Sequence, residues 1–241
     1  MKRFIVLLLP FLSLVSYTKA QTFKAGILAG VAITDIAGMD QVDADNDFYK
    51  FGLTAGGFVN TKIGPSSSLE MEITYTQKGS QQPPDSTNNN NYYTLALNYI
   101  DVTLVWKKQL HININKKPTD KLGFEAGITL GSLISYSYTA KSNPFDLTGQ
   151  LNTIDASAVI GLTYSFSPKF FFSGTYSNSF IPALKHDAFP SGSYGLYYQA
   201  WNNGANLAFQ LTFGYIFNGG SEGAEDNSSA PAPPPAPTGG N

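Results

Sequence analysis

The chain has 241 residues, no cysteine, a formal charge of −2, only 13% charged side chains and 14% aromatics. Without cysteine there is no disulfide framework, no thiolate metal site or nucleophile and no lipidated cysteine, and the acidic balance excludes nucleic acid as a partner. Charge at about half the ~25% of ordinary soluble domains, together with 23 Gly, 14 Tyr and 17 Phe, is the composition of a transmembrane β-barrel, whose strands hide their hydrophobicity in alternation.

Residues 1–20, MKRFIVLLLPFLSLVSYTKA, place Lys2 and Arg3 ahead of an apolar run that ends in small and polar residues. This is the pattern of a secretory signal peptide. Pro10 and Ser13 interrupt the run, which falls short of the ~20 residues of a spanning helix. Cleavage is expected after Ala20; it removes Lys2, Arg3 and Lys19 and no acid, which takes the formal charge from −2 to −5.

Residues 21–217 parse into eight segments with the period-two alternation of strands. The first, FKAGILAGVAIT, sets Phe23, Ala25, Ile27, Ala29, Val31 and Ile33 against Lys24, Gly26 and Gly30. The second sets Phe51, Leu53, Ala55, Gly57 and Val59 against Gly52, Thr54 and Gly56, and the third Leu69, Met71, Ile73 and Tyr75 against Glu70, Glu72, Thr74, Thr76 and Lys78. In the fourth, LALNYIDVTLVWKK, the apolar phase moves from Leu95, Leu97 and Tyr99 to Ile100, Val102, Leu104 and Trp106. An unbroken strand cannot change face, so a bulge is predicted near Tyr99. The fifth runs Leu122, Phe124, Ala126, Ile128, Leu130, then Ile134, Tyr136 and Tyr138; the sixth runs from Ile154 to Phe166; the seventh carries Phe170, Phe172 and Tyr176. The eighth, LAFQLTFGYIF, alternates from Leu207 to Phe217.

The connections after segments two and six, KIGPSS and SPK, are short, and those after one, three, five and seven are long and polar. Short periplasmic turns facing long external loops are the outer-membrane barrel pattern. The fourth connection, QLHININKKPTDK, is longer than that pattern requires, so strands four and five are expected to run on beyond the membrane there. A soluble barrel of the lipocalin kind would bury the same aromatic face. Tyr75, Trp106, Tyr136, Tyr138, Tyr164, Phe166, Phe170 and Phe217 gather near segment ends, as two interfacial girdles require. The fold expected is therefore all-β, an eight-stranded antiparallel up-and-down transmembrane β-barrel with its apolar face on lipid and lipopolysaccharide. An even strand count puts both termini in the periplasm.

The spacing of FKAGILAGVAIT, LEMEITYTQKG and YIDVTLVWK, closing on the aromatic FGYIF, resembles the PorT-like outer-membrane β-barrel proteins of the Bacteroidota. The resemblance spans residues 21–217 and departs at Asp101, where the family usually has proline. It implies an outer-membrane location and, from some relatives, an accessory role in a protein secretion system. Phe213, Tyr215 and Phe217 also resemble the terminal-strand signal read by the barrel-assembly machinery.

A closed eight-strand barrel has an interior just wide enough for side chains to fill, so charges on its inner face must pair. Lys24, Glu70, Glu72, Lys107 and Glu125 fall toward the periplasmic ends of their strands and are expected to form one network. Asp43, Asp45 and Asp47 are the only metal candidates, but Phe48 and Thr54 stand where a calcium loop of the EF-hand kind needs Gly and Glu. That segment reads as a solvated acidic loop, and SQQPPDSTNNNN as polar surface. Residues 182–203 gather Phe189, Tyr194, Tyr197, Tyr198 and Trp201. Two readings of them stand: a contact surface for protein or glycan, or an aromatic cap over the barrel mouth.

Catalysis is not expected. His186 adjoins Asp187, but sequence neighbours seldom form the base and orienter of a triad, and Ser191 and Ser193 lie in the same loop. The stretch TYSN, 175–178, is similar to the His-x-Ser-Asn of barrel lipid A deacylases, with Thr175 in place of the histidine. Residues 218–241, rich in Gly, Ser and Pro, cannot bury a core and read as a disordered periplasmic tail. The function expected is a non-enzymatic structural or accessory envelope component without cofactor, with a secretion-system or periplasmic partner. A surface-binding module acting through 182–203 is the alternative, and a lipid-modifying enzyme the third.

Overall fold

Alternating β-branched and aromatic residues separated by Gly, Pro and Asn breaks favour extended backbone, and the computed structural model is built entirely on that pattern. It describes residues 23–37, 50–84, 86, 90, 92–114, 117–141, 147–185 and 204–217. Eight strands follow in chain order: β1 Phe23–Ile36, β2 Lys50–Gly64, β3 Ser67–Gln82, β4 Tyr93–Ile114, β5 Lys117–Ala140, β6 Ile154–Ser165, β7 Phe170–Pro182 and β8 Ala205–Ile216. Each pairs antiparallel with its sequence neighbours, and β8 closes on β1.

Closure imposes a stagger. Direct partners lead from Lys24 through Asn60, Glu70, Val105, Gly127, Val159, Ser177 and Ala208 back to Thr34, ten residues further along β1. Strands therefore tilt to the barrel axis, and residues level with one another in the lumen are offset in strand position.

One phase of every strand faces out. Ile27, Leu53, Ile73, Val102, Ile128, Ile160 and Leu211 belong to a continuous outer belt. Its border toward the long connections is a polar row across β3, β4 and β5: the Gln77 amide donates to the Tyr75 hydroxyl (3.1 Å), Tyr75 donates to Asn98 (2.9 Å), and Asn98 donates to Ser135 (2.9 Å). At the other border Phe166, Phe170, Phe172, Phe213, Tyr215 and Phe217 form one ring cluster on β6 to β8, with centroids 5.0–6.0 Å apart. Trp106 and Tyr164 also face out near that end.

The turns at this end are short: Pro65 and Ser66 join β2 to β3, and residues 115–116 join β4 to β5, whose strands pair as far as Ile114↔Lys117. The fourth connection is thus mostly strand, standing clear of the barrel beyond the last β3 and β6 partners, Lys108 and Leu122.

The predicted bulge is real but lies elsewhere. The β3–β4 register runs unbroken from Ser67↔Lys108 to Gln82↔Tyr93, so β4 never changes face. The extra residue is in β5, where Asn98 pairs with Ser135 and Tyr99 with Leu133, leaving Ile134 unpaired. Leu95, Leu97 and Tyr99 consequently point into the lumen, and the apolar run in β4 marks a change from apolar interior to apolar exterior. Tyr138, expected in an outer girdle, packs instead against this interior cluster.

Candidate functional site: the lumen and its mouth

The lumen is ordered in layers. At the long-connection end Ile36, Tyr93, Leu95, Leu97 and Tyr99 meet Leu147, Leu151, Ala183 and Leu184 from the two last loops. Those loop segments are held by the Leu151↔Leu184 bridge and by the Asn152 and Lys185 amides donating to the Ala183 and Gln150 carbonyls. The result is an apolar stopper.

Below it sits a buried ion triad. The Lys78 ammonium lies 2.7 Å from Asp155 and 3.1 Å from Asp101, and 4.9 Å from the centre of the Tyr99 ring. Ser157 donates to Asp155 (3.1 Å), and Asn206 donates to the Tyr99 hydroxyl (3.3 Å). Lys78 is 2% exposed, so each charge depends on the others for its solvation. Gly131 makes room: a Cβ there would stand 2.3 Å from Asp101 Oδ1.

A belt of hydroxyls follows, with Thr54, Thr74 and Thr76 in contact and Thr103 bonded to Thr129 at 2.8 Å. Eight residues along β3 from Lys78, roughly 26 Å at the usual strand rise, a second network surrounds Lys107. Its ammonium pairs with Glu70 and, at 3.3 Å, with Glu125. Asn60 donates to Glu70 (2.9 Å) and to Ser68 (3.1 Å), and Ser173 donates to Glu125. Glu72 faces the same space and interacts with Glu70, Lys107 and Glu125. Leu28, Phe58 and Phe171 pack beside it, the two rings edge to face at 5.6 Å, with Lys107 5.1 Å from the Phe171 centroid. These rings fill the hollows over Gly26 and Gly214, where a Cβ would meet them at 2.4 and 2.1 Å.

Of the five residues expected in one network, the fold gathers Glu70, Glu72, Lys107 and Glu125. Lys24 stands apart. Its direct partner across β1 and β2 is Asn60, which supplies the amide that Glu70 accepts, and Lys24 is left half-buried at the rim with no ion pair among the described residues. Sequence reading put Lys78 on the polar face of the third segment but missed that it meets Asp101 and Asp155; Lys78 and Asp155 are 77 residues apart.

Beyond Lys107 the lumen opens at the short-turn end as a cavity of about 510 Å³. Lys24, Lys62, Lys121, Asp120, Asn60 and Ile216 are among its walls. Asp120 is engaged by His111 on the protruding β4–β5 hairpin. In the TYSN stretch Ser177 faces the lumen and Tyr176 and Asn178 face out, the Asn178 amide 3.4 Å from the Tyr176 hydroxyl. Phe213 on β8 and Phe217 just beyond it are exposed beside Tyr215. Asp43, Asp45, Asp47, Phe189, Tyr194, Tyr197, Tyr198, Trp201 and His186, together with residues 1–20 and 218–241, lie outside the described residues.

A closed antiparallel ring of eight strands, apolar outside and ion-paired within, defines the class of small transmembrane barrels. The chain belongs to the outer membrane protein beta-barrel domain family, whose model matches residues 19–185, and its place is the outer membrane. No curated protein matches the sequence. Among solved structures, Ail of Yersinia pestis in complex with the heparin analogue sucrose octasulfate is 11% identical, with 81% of this chain and 99% of that one covered at a TM-score of 0.40. Neisserial surface protein A is likewise 11% identical, over 81% and 97% of the two chains, at a TM-score of 0.41.

Proposed function

We propose that this protein is a non-conducting, non-enzymatic outer-membrane barrel, serving as a structural or accessory component of the envelope alongside a PorT-like protein secretion system. The short turns and both chain ends face the periplasm in this reading. The observation that carries it is the filled lumen: an apolar stopper packs above a buried Lys78–Asp101–Asp155 triad, in a barrel of a size whose interior side chains can fill. The arrangement of Ser177 and His111 fits the same reading, because Ser177 lies within the lumen whereas His111 sits on the hairpin beyond the opposite border and is engaged by Asp120.

Crosslinking and pull-down from native outer membranes, comparing the full chain with one ending at Phe217, tests the accessory role. Recovery of secretion or envelope proteins supports it, and recovery of the barrel alone from both forms removes it. Purified protein in planar bilayers is expected to give no steady conductance, and sustained channel currents would contradict the filled lumen.

A second reading, a surface-binding module, is favoured by the anchoring of the last loop at both roots. Ala183 and Gly204 are joined by a backbone hydrogen bond, and Gly204 donates to Ala37 (2.7 Å). The described ends of that connection are thereby tied to each other and to β1's end. Alanine at Tyr197, Tyr198 and Trp201 would then abolish capture of protein or glycan while the barrel still assembles.

A further inference from the structure

We infer that the free edge of β4 beyond the barrel, residues 109–114, is a docking site for one added strand, supplied by an extended segment of a separate protein in the aqueous space at the short-turn end. β3 leaves β4 at Ser67↔Lys108, and the last bond on that side is the Gln109 amide donating to the Ser66 carbonyl at 2.8 Å. Backbone groups along a strand turn to alternate sides, so those of His111 and Asn113 face the same way as the Gln109 amide. No strand stands beside them among the described residues, while Leu110, Ile112 and Ile114 turn theirs toward β5. A two-stranded ribbon is marginal in water by itself, and the unpaired N–H and C=O groups of an edge are a template for another chain.

The two edges of the hairpin are not alike. On the β5 side residues 117–121 read Lys-Pro-Thr-Asp-Lys: Pro118 has no N–H to offer, the register shift between Leu110 and Ile112 puts a bulge opposite His111, and charges stand at Lys117, Asp120 and Lys121. Proline, bulges and charge, lysine above all, keep an edge from pairing. On the β4 side residues 109–114 read Gln-Leu-His-Ile-Asn-Ile, and their one titratable side chain, His111, is engaged by Asp120. The edge is thus guarded on one side and open on the other, where an incoming strand takes the place β3 vacates and continues the β3–β4 sheet. Leu110 and Ile112, the latter 38% exposed, set the face on which that strand carries its apolar residues. At the head of the edge Lys108 donates to the Ser66 hydroxyl at 2.7 Å and has no carboxylate partner among the described residues, so an acid at the barrel end of the incoming segment completes the match. A second copy is a poor occupant: two copies in one membrane run β4 the same way across it and cannot bring these edges together antiparallel, the stronger pairing. The chain's own residues 218–241 are rich in Gly, Ser and Pro and have no alternating run, and proline removes ladder donors. Strand addition by another protein remains, an inference that rests on the accessory reading and gives it a contact surface.

His111→Pro and Asn113→Pro each remove an N–H from the free edge and leave the bonds to β5 in place. Backbone hydrogen exchange of 109–114 in the full chain and both variants is compared between native outer-membrane vesicles and purified protein in lipid nanodiscs. In parallel, a photo-crosslinking residue replaces Ile112 on the open side or Thr119 on the guarded side, and heat-modifiable gel mobility reports the folded barrel in every variant. The expected result is exchange at least tenfold slower in the vesicles, with crosslinks from position 112 to one alternating segment of a different protein and at least tenfold fewer from position 119. Both effects are lost in each proline variant. Equal exchange in vesicles and nanodiscs, protection that survives both prolines, or crosslinks from 112 only to a second copy or to the chain's own tail overturns the proposal. Envelope proteins pulled down equally by the wild-type and proline chains end the edge proposal and leave the accessory reading standing, whereas recovery of none from any chain ends both.

Discussion

At the residue scale the stability of the lumen depends on a few buried charges that solvate one another. Lys78 holds two carboxylates at once, 2.7 Å from Asp155 and 3.1 Å from Asp101. Lys78→Met leaves both buried without a cation, and removing one partner of such an arrangement costs about 3–5 kcal/mol. Urea unfolding from lipid vesicles is expected to show that loss. Adding Asp101→Asn and Asp155→Asn should restore most of it, because the stranded charges are then gone. Gly131→Ala attacks the same triad sterically: the new methyl would occupy the space of Asp101 Oδ1. A loss of about 1–3 kcal/mol, typical of overpacking, is expected in the same assay, and it should shrink in an Asp101→Ala background.

At the element scale each strand presents two surfaces one residue apart. Ile128 is 56% exposed on β5, while its neighbour Thr129 is buried against Thr103. Lysine on the lipid side near the middle of the belt costs about 2–4 kcal/mol, so Ile128→Lys is expected to reduce folding yield into bilayers by a corresponding shift of the unfolding midpoint. The β4–β5 hairpin beyond Leu110 behaves differently. Its residues pair only with one another, and exchanging 111–119 for an Asn-Gly turn is expected to leave a fully heat-modifiable barrel on gels. Failure to fold would show that the hairpin supports β3 or β6 after all. The β5 bulge at Ile134 illustrates how an element is governed by its neighbour. It lets Tyr138 turn toward Leu95 without moving β4.

At the scale of the whole molecule, closure sets what the interior can hold. The ten-residue stagger brings β3, β4 and β6 to a common level, where Lys78, Asp101 and Asp155 meet. The two ends differ in what covers them. One is sealed by loop-borne Leu147, Leu151 and Leu184, and the other opens into a lysine-rimmed cavity. Leu95→Ser combined with Leu97→Ser removes apolar contacts from the centre of the stopper. Each large-to-small core change costs a few kcal/mol, so a lower unfolding midpoint is expected, with faster backbone hydrogen exchange in 147–151 and 183–185. Unchanged exchange there would mean that the loop segments are held by their backbone bonds alone.

The sequence by itself determined the eight strands, their lipid and lumen faces outside the start of β4 and the end of β5, and the alternation of short and long connections, because side-chain direction in a strand is a local property of period two. It also placed Glu70, Glu72, Lys107 and Glu125 at one end, since position along a strand approximates depth. Only the tertiary structure decided which inward charges touch. Depth in a barrel depends on the stagger accumulated around the whole ring, which no single segment records, and so the Lys78–Asp155 contact and the separation of Lys24 could not be read from spacing. The run LALNY was ambiguous for a related reason. An apolar residue at a strand end satisfies lipid outside or a stopper inside equally well, and only the arrival of Leu147, Leu151 and Leu184 from other loops chose the inside.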